Sequence, residues 1–128
     1  MTNEIEYTMD SDELKRRTKR FSIDIILFVN SFPKTIAGYV IGKQLIKCGT
    51  SVGANYRAAC RGRSKAEFNS KLHIVLEEAD ESLFWLETIQ ESKLVKNEAL
   101  DYLLVEALEL TSIFACSYRT AKTKSLNH

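Results

Sequence analysis

The sequence predicts an all-α protein, an antiparallel up-down-up-down four-helix bundle, from three observations. A single proline and five glycines in 128 residues leave long stretches that can form uninterrupted helices. Apolar residues recur at helical spacing through most of the chain. The breaks between these stretches are short, and short connections make consecutive helices antiparallel neighbours. A chain of this length can bury enough surface to be stable as one domain.

Start and stop signals delimit four helices. Asp10 can cap the first helix, because Asp-Ser-Asp-Glu also places an acid in its first turn, and Pro33 ends that helix because proline has no backbone N–H. Gly62 and Ser64 supply a stop and a restart, and Asn97 can cap the last helix. The helices are therefore expected at about 10–32, 35–62, 64–92 and 97–121. They would form one domain over 10–121, between flexible tails at 1–9 and 122–128.

Glycines form a row along the second helix, at positions 38, 42, 49 and 53. Each glycine costs about 1 kcal/mol relative to alanine in a helix interior, so the row needs a compensating reason, usually the close approach of another backbone. That neighbour could belong to the same subunit or to another one. Asn55 beside the row can fix register or oligomer state, and Trp85 on the broadly apolar third helix can anchor an interface. The predicted oligomer interface contains Gly49, Gly53, Asn55 and Trp85.

Charge gives the clearest indication of function. Most of the 18 Lys and Arg residues fall in three stretches that such a bundle would bring to one end. Between residues 77 and 109 the only cations are Lys93 and Lys96, so this acidic stretch would line the opposite end. The net charge of +1 therefore hides a dipole, and its basic end could receive a polyanion. The candidate nucleic-acid-binding residues are Lys15, Arg16, Arg17, Lys19, Arg20, Arg57, Arg61, Arg63, Lys65 and Arg119.

A role in stability alone would account for some of these charges. Cations near the C-termini of the second and fourth helices complement the helix dipole, and Glu67–Lys71 is an ordinary (i, i+4) pair. The first helix does not fit this explanation, because its first turns hold five cations where the dipole disfavours positive charge. Anion binding and a solvated charged face both remain open for the basic stretches.

No residue set in the sequence supports an enzyme, a metal site or a cofactor. His73 and Glu77 lie one turn apart, but two ligands do not make a site, and a ferritin-like di-metal site needs carboxylates from all four helices. No apolar run approaches the roughly 20 residues of a membrane span, so no membrane partner is expected. The spacing of Cys48, Cys60 and Cys116 suits reduced thiols of a cytoplasmic protein.

Three stretches resemble the 23S rRNA intervening-sequence protein family, also called the four-helix-bundle proteins. They are SVGANYR at 51–57, SKAEF with KL at 64–72, and EEADES with WLE at 77–87, and the likeness extends over about residues 14–118. At Ala58, where many relatives have glutamate, one charge is missing. The resemblance implies antiparallel four-helix bundles that associate as ring-like homopentamers, some of them encoded inside insertions in ribosomal RNA genes.

A related branch of that family is the accessory protein of diversity-generating retroelements, which uses a basic surface to engage nucleic acid and a reverse transcriptase. The resemblance thus implies a bacterial setting and, as partners, other copies of the chain, nucleic acid and a protein such as a reverse transcriptase. On this resemblance the residues facing nucleic acid would be Arg16, Arg17, Arg20, Arg57, Arg61 and Arg63.

Together, the charges and the resemblance predict a non-enzymatic, oligomeric protein that binds RNA or DNA through its basic end. The alternative is a protein-interaction adaptor that docks an acidic protein partner and contacts nucleic acid only incidentally.

Overall fold

The computed structural model describes residues 10–126, and four α-helices account for most of this part of the chain. Helix α1 spans Ser11–Val29, α2 spans Ile36–Cys60, α3 spans Lys65–Ser92 and α4 spans Glu98–Leu126. No strand occurs within the described range. The all-α prediction with four helices is confirmed. The N-terminal tail expected at 1–9 lies outside the described residues, and α4 continues past its expected end at 121.

Capping side chains start each helix, three of them at the positions that the sequence indicates. Asp10, Thr35, Ser64 and Asn97 each accept a hydrogen bond from the backbone N–H three residues later, at 2.9–3.1 Å. Such a bond satisfies one of the unpaired N–H groups in the first turn of a helix and is worth about 1 kcal/mol. Lys93 follows α3 with a φ of 60°, the left-handed conformation in which glycine is most common.

Three glycines of the row on α2, Gly42, Gly49 and Gly53, face α1 within the same chain. A Cβ atom added at Gly53 would lie 3.2 Å from the carbonyl carbon and oxygen of Thr18, and one added at Gly49 would lie 3.0 Å from Cγ1 of Ile25. The glycines therefore allow α1 to approach α2 closely. The contacting positions run in opposite order along the two helices. These pairs are Gly42 with Val29, Gly49 with Ile25 and Gly53 with Thr18.

This contact corrects part of the predicted oligomer interface. Gly49 and Gly53 are buried against α1 inside one chain, so they offer no surface to a second copy. The sequence allowed the helix that packs on the glycines to belong to the same subunit or to another one. In the structure, the helix that packs on Gly49 and Gly53 is α1 of the same subunit.

The core extends along the whole bundle, with α1 packed on α2, α2 on α3 and α3 on α4, whereas α1 and α4 approach each other less extensively. In α4 the four-residue spacing of Leu100, Leu104 and Leu108 predicts that Leu108 faces the core, but more than half of this side chain is exposed, and Leu110 and Ile113 are buried instead. Because apolar residues occur on several sides of α4, periodicity alone does not fix which side faces the core. The fully buried large side chains are Phe21, Ile25, Leu45, Val52, Leu72, Val75, Leu86, Ile89, Leu103, Leu110, Ile113 and Phe114.

Candidate nucleic-acid interface

The helix ends that carry the basic stretches meet around one shallow groove. The groove receives side chains from the start of α1, the end of α2, the start of α3 and the C-terminal half of α4. Side-chain packing between the helices holds these ends together, since the ring of Tyr56 on α2 lies 5.4 Å from that of Phe114 on α4. The lining residues are Ser11, Leu14, Tyr56, Cys60, Phe68, Leu72 and Ser117.

Most of the candidate cations are exposed and make no ion pair with another described residue. An exposed cation without a carboxylate partner keeps its full charge for a ligand, whereas a paired cation must first break its ion pair. This unpaired cluster consists of Arg16, Lys19, Arg57, Arg61, Arg63, Lys65 and Arg119.

Arg17, by contrast, is bound to two carboxylates of α4. Its Nε donates to Oε2 of Glu106 at 2.8 Å, and its Nη2 donates to Oε1 of Glu106 at 2.9 Å and to Oε1 of Glu109 at 2.6 Å. The side chains of Arg17 and Glu106 are only 18% and 13% exposed. The bond to Glu106, followed by that to Glu109, raises the pKa of the guanidinium despite its partial burial.

This arrangement corrects the prediction for Arg17, which is a structural link between α1 and α4 and not a free phosphate ligand. A guanidinium that already binds two carboxylates, one of them with two bonds, has little capacity left for another anion. The pairing is not visible in the sequence, because the partners lie far apart along the chain. The available signal was the position of Arg17, which is three residues from Leu14 and four from Phe21, at the edge of the apolar stripe of α1.

Lys15 and Arg20 are intermediate cases. The Nζ of Lys15 lies 3.9 Å from Oδ1 of Asp12, and Nη2 of Arg20 lies 3.0 Å from Oδ1 of Asp24. The Arg20 side chain remains 64% exposed, so this pair is a surface ion pair of small energy. Both cations can add to a positive field, but each is partly neutralised by its own helix.

The acidic stretch does not stay at the opposite end of the bundle. Glu106 and Glu109 reach Arg17 near the first turns of α1, and Glu78 interacts with Ser51 in the second half of α2. Burial raises the pKa of Glu78, and the nearby Ser51 hydroxyl and Lys47 ammonium partly offset that rise. The separation of charge along the bundle is therefore less complete than the sequence predicts.

Aromatic side chains near the basic stretches are used for packing. Tyr56 is 5% exposed, and burial raises the pKa of its phenol, so its ring cannot stack on a nucleobase. Half-buried Tyr118 lies 5.1 Å from the ring of His73, and Nζ of Lys122 lies 5.9 Å from the Tyr118 centroid. The basic end thus offers charge, with little exposed aromatic surface for reading bases.

Asn55 and Trp85, the other two predicted interface residues, are both half-buried. The Asn55 amide donates to the carbonyl of Ser51 at 2.9 Å, one turn earlier in the same helix. The indole nitrogen of Trp85 is buried without a hydrogen-bond partner among the described residues, and the Trp85 ring packs edge-on against Phe84 at 5.1 Å. Their place in an oligomer interface stays a prediction.

Within residues 10–126, no group of three or more His, Cys, Asp or Glu side chains could hold a metal ion. Nδ1 of His73 lies 3.6 Å from Oε1 of Glu77, so the metal-ligand pair considered from the sequence exists only as an exposed contact. Burial raises the pKa of Cys48 to about 11, which keeps the thiol protonated and unreactive at neutral pH. No described helix has the length and apolar character to cross a membrane.

Comparison with known proteins identifies the family of this chain. Comparison with curated proteins gives no significant match. A crystal structure from Bacteroides thetaiotaomicron VPI-5482, described as a protein with unknown function from the S23 ribosomal protein family, is similar to this chain. The two are 27% identical with a TM-score of 0.78, and the match covers 87% of this chain and 99% of the other. The family model described as 23S rRNA-intervening sequence protein matches residues 11–115. The chain therefore belongs to the 23S rRNA-intervening sequence protein family.

Proposed function

We propose that this protein is a non-enzymatic, cytoplasmic nucleic-acid-binding protein that holds the phosphate backbone with the basic end of its bundle. The observation that carries the proposal is the unpaired cluster defined above. Its cations lie on helix ends that meet around one groove, and they lack carboxylate partners in the described part of the chain. The name of the family points to structured ribosomal RNA as the first ligand to test.

The proposal includes an up-down-up-down antiparallel arrangement of the helices. The opposite order of the contacts between α1 and α2 supports it, as does the groove that collects alternate helix ends. It also includes a ring-like homo-oligomer, which would present several basic ends together. Weak contacts to separate phosphates then combine, because after the first contact the later ones are intramolecular.

The chemistry of the cluster favours backbone binding over base reading. Most of its members are arginines, whose planar guanidinium matches two phosphate oxygens at once. Contacts of this kind position a nucleic acid but carry no sequence information. We therefore expect affinity for structured RNA with little preference among sequences.

Salt dependence tests the proposal, because each neutralised phosphate releases bound counterions. Fluorescence anisotropy with a labelled structured RNA between about 50 and 200 mM salt should give a steep negative log–log slope. The double variant Arg57→Gln, Arg61→Gln should reduce that slope by about 1–2, since each lost phosphate contact contributes about 0.7–0.9.

The matched control is Lys34→Gln, Lys96→Gln, which removes the same charge from the loops before α2 and after α3. Both lysines are exposed and lie away from the groove. The control should leave the slope unchanged. Equal losses in the two double variants, or binding that is insensitive to salt, would exclude the basic end as the binding site.

The same cations could instead dock an acidic protein. Purification after thorough nuclease treatment separates this adaptor function from RNA binding. A stoichiometric protein partner that is retained after the treatment, together with no affinity for RNA at low salt, would favour the adaptor.

A further inference from the structure

The outer face of α4 is apolar and acidic. Tyr102, Val105 and Leu108 follow one another at intervals of three residues, and each is more than half exposed. The chain from Glu98 to Glu109 contains no lysine or arginine. Exposed apolar groups that share a face in this way usually mark an interaction surface. We call this surface the α4 face.

The first turns of α2 present an apolar and basic counterpart. Ile36, Tyr39 and Val40 are each more than half exposed, and Lys43 and Lys47 follow at helical spacing. No acid occurs between Asp24 and Glu67, so α2 itself supplies no carboxylate to these lysines, and Glu78 of α3 interacts with Lys47 alone of the two. We call this surface the α2 face.

The two faces cannot meet within one chain. Helix α2 packs mainly on α1 and α3, and α4 packs mainly on α3 and α1, so α2 and α4 meet only through core side chains such as Tyr56 and Phe114. Each face matches the other in apolar content and is opposite to it in charge, and such complementarity favours association of these two surfaces over self-pairing of either. We propose that the α2 face of one copy docks on the α4 face of a second copy.

Sequence spacing supports the pairing of these helices. Ile36, Tyr39 and Lys43 are separated by three and then four residues, and Tyr102, Val105 and Glu109 have the same separation. Two helices laid side by side in the same direction would oppose Ile36 to Tyr102, Tyr39 to Val105 and Lys43 to Glu109. The Glu109 side chain is 51% exposed, and its contact with Arg17 uses one of its two carboxylate oxygens.

This contact is heterologous, because the two surfaces involved are different. An open assembly of any length still has one free face of each kind, one at each end, so it grows until it closes into a ring. The inference rests on the oligomer included in the proposed function and assigns the surfaces that form it. In this assignment the oligomer interface consists of exposed residues and no longer contains Gly49 and Gly53, which are covered by α1.

Mixing two complementary variants tests the docking. Tyr39→Glu blocks the α2 face by adding an acid opposite the acidic α4 face. Val105→Glu blocks the α4 face by placing a carboxylate in its apolar centre. Ile23→Glu, at an exposed apolar position on α1, is the control for the substitution itself. Circular dichroism of all three variants checks that each one is folded.

Size-exclusion chromatography with light scattering gives the expected result directly. We expect wild type and Ile23→Glu to be oligomers and each blocked variant alone to be a monomer. An equimolar mixture of the blocked variants gives a species of twice the monomer mass, because one intact pair of faces remains. A monomeric wild type, a blocked variant of wild-type mass, or a mixture that stays monomeric would overturn the proposal and leave the faces to another protein or to a membrane surface.

RNA binding by the same samples separates this inference from the proposed function. The blocked monomers should bind RNA at least about tenfold more weakly than the oligomer, with a salt dependence that is still negative, because multivalency is lost while the cations remain. An oligomer that binds no RNA would refute the proposed function and leave the docking intact.

Discussion

Replacing Gly53 with alanine tests the close contact that aligns α1 with α2 and so brings two of the basic stretches together. The added methyl group would lie 3.2 Å from the carbonyl carbon and oxygen of Thr18, and equally near its hydroxyl oxygen. Thr18 is fully buried within α1, so its backbone cannot move aside unless the helix shifts. Overpacking of a rigid neighbour costs about 1–3 kcal/mol.

Helix propensity acts in the opposite direction, since alanine is favoured over glycine by about 1 kcal/mol in a helix interior. The expected net effect of Gly53→Ala is therefore a loss of about 1 kcal/mol in the free energy of unfolding. Gly42→Ala is the matched control with the same gain in propensity. Its methyl group would meet Cγ1 of Val29 at 2.9 Å, a half-buried side chain at the end of α1 that can adjust. We expect this control to be neutral or stabilising by up to about 1 kcal/mol.

Urea denaturation followed by circular dichroism, at one fixed protein concentration, measures both free energies of unfolding. The two variants should differ by about 1–2 kcal/mol, with Gly53→Ala the less stable. If Gly53→Ala were as stable as Gly42→Ala, the backbone of α1 would not lie against Gly53, and the register of the two helices would have to be revised.

Three further substitutions have expected effects on stability. Arg17→Met leaves Glu106 partly buried without its partner and should cost about 2 kcal/mol in urea denaturation, whereas Lys19→Met, which removes an unpaired cation, should cost less than about 0.5. Glu78→Gln should raise the melting temperature at pH 7, because burial raises the pKa of Glu78 above 4.5 and its ionised form therefore lowers stability. As pH rises, the carboxyl group loses its proton in the unfolded chain before it does so in the folded protein, so stability falls. Below about pH 4 the group is protonated in both states, and the gain from the substitution should vanish. Lys93→Gly should raise the free energy of unfolding by about 0.5–1 kcal/mol, because glycine adopts the left-handed backbone conformation of this position more easily than lysine. An unchanged melting temperature would argue against that backbone conformation.

Local signals predicted the helices well. Asp10, Ser64 and Asn97 cap their helices as the sequence indicates, because a cap acts over three residues and depends little on the rest of the fold. The apolar residues of α1 that recur at helical spacing from Leu14 to Phe28 are buried, as that periodicity predicts.

Contacts between distant parts of the chain could not be predicted from the sequence. The sequence groups Arg17 with the other cations because its acceptors, Glu106 and Glu109, come from a helix whose register is set by tertiary packing. The prediction for Leu108 fails for a similar reason, since several sides of α4 are apolar and only the neighbouring helices decide which side is covered. Both errors involve residues that pack on α4 or belong to it, the last helix of the chain.

Arg16 and Arg17, adjacent in the sequence, give the most direct test of the account. Arg16 is exposed and unpaired, whereas Arg17 is held by two carboxylates. Anisotropy with structured RNA should show that Arg16→Gln weakens binding and reduces the salt slope by about 0.7–0.9 without a change in unfolding free energy. Arg17→Gln should lower the unfolding free energy and leave the slope unchanged. Two results would contradict the division of these cations into free and structural ones. One is a reduced salt slope in Arg17→Gln together with a reduced unfolding free energy in Arg16→Gln. The other is an equal loss of RNA binding in both variants while both remain fully folded.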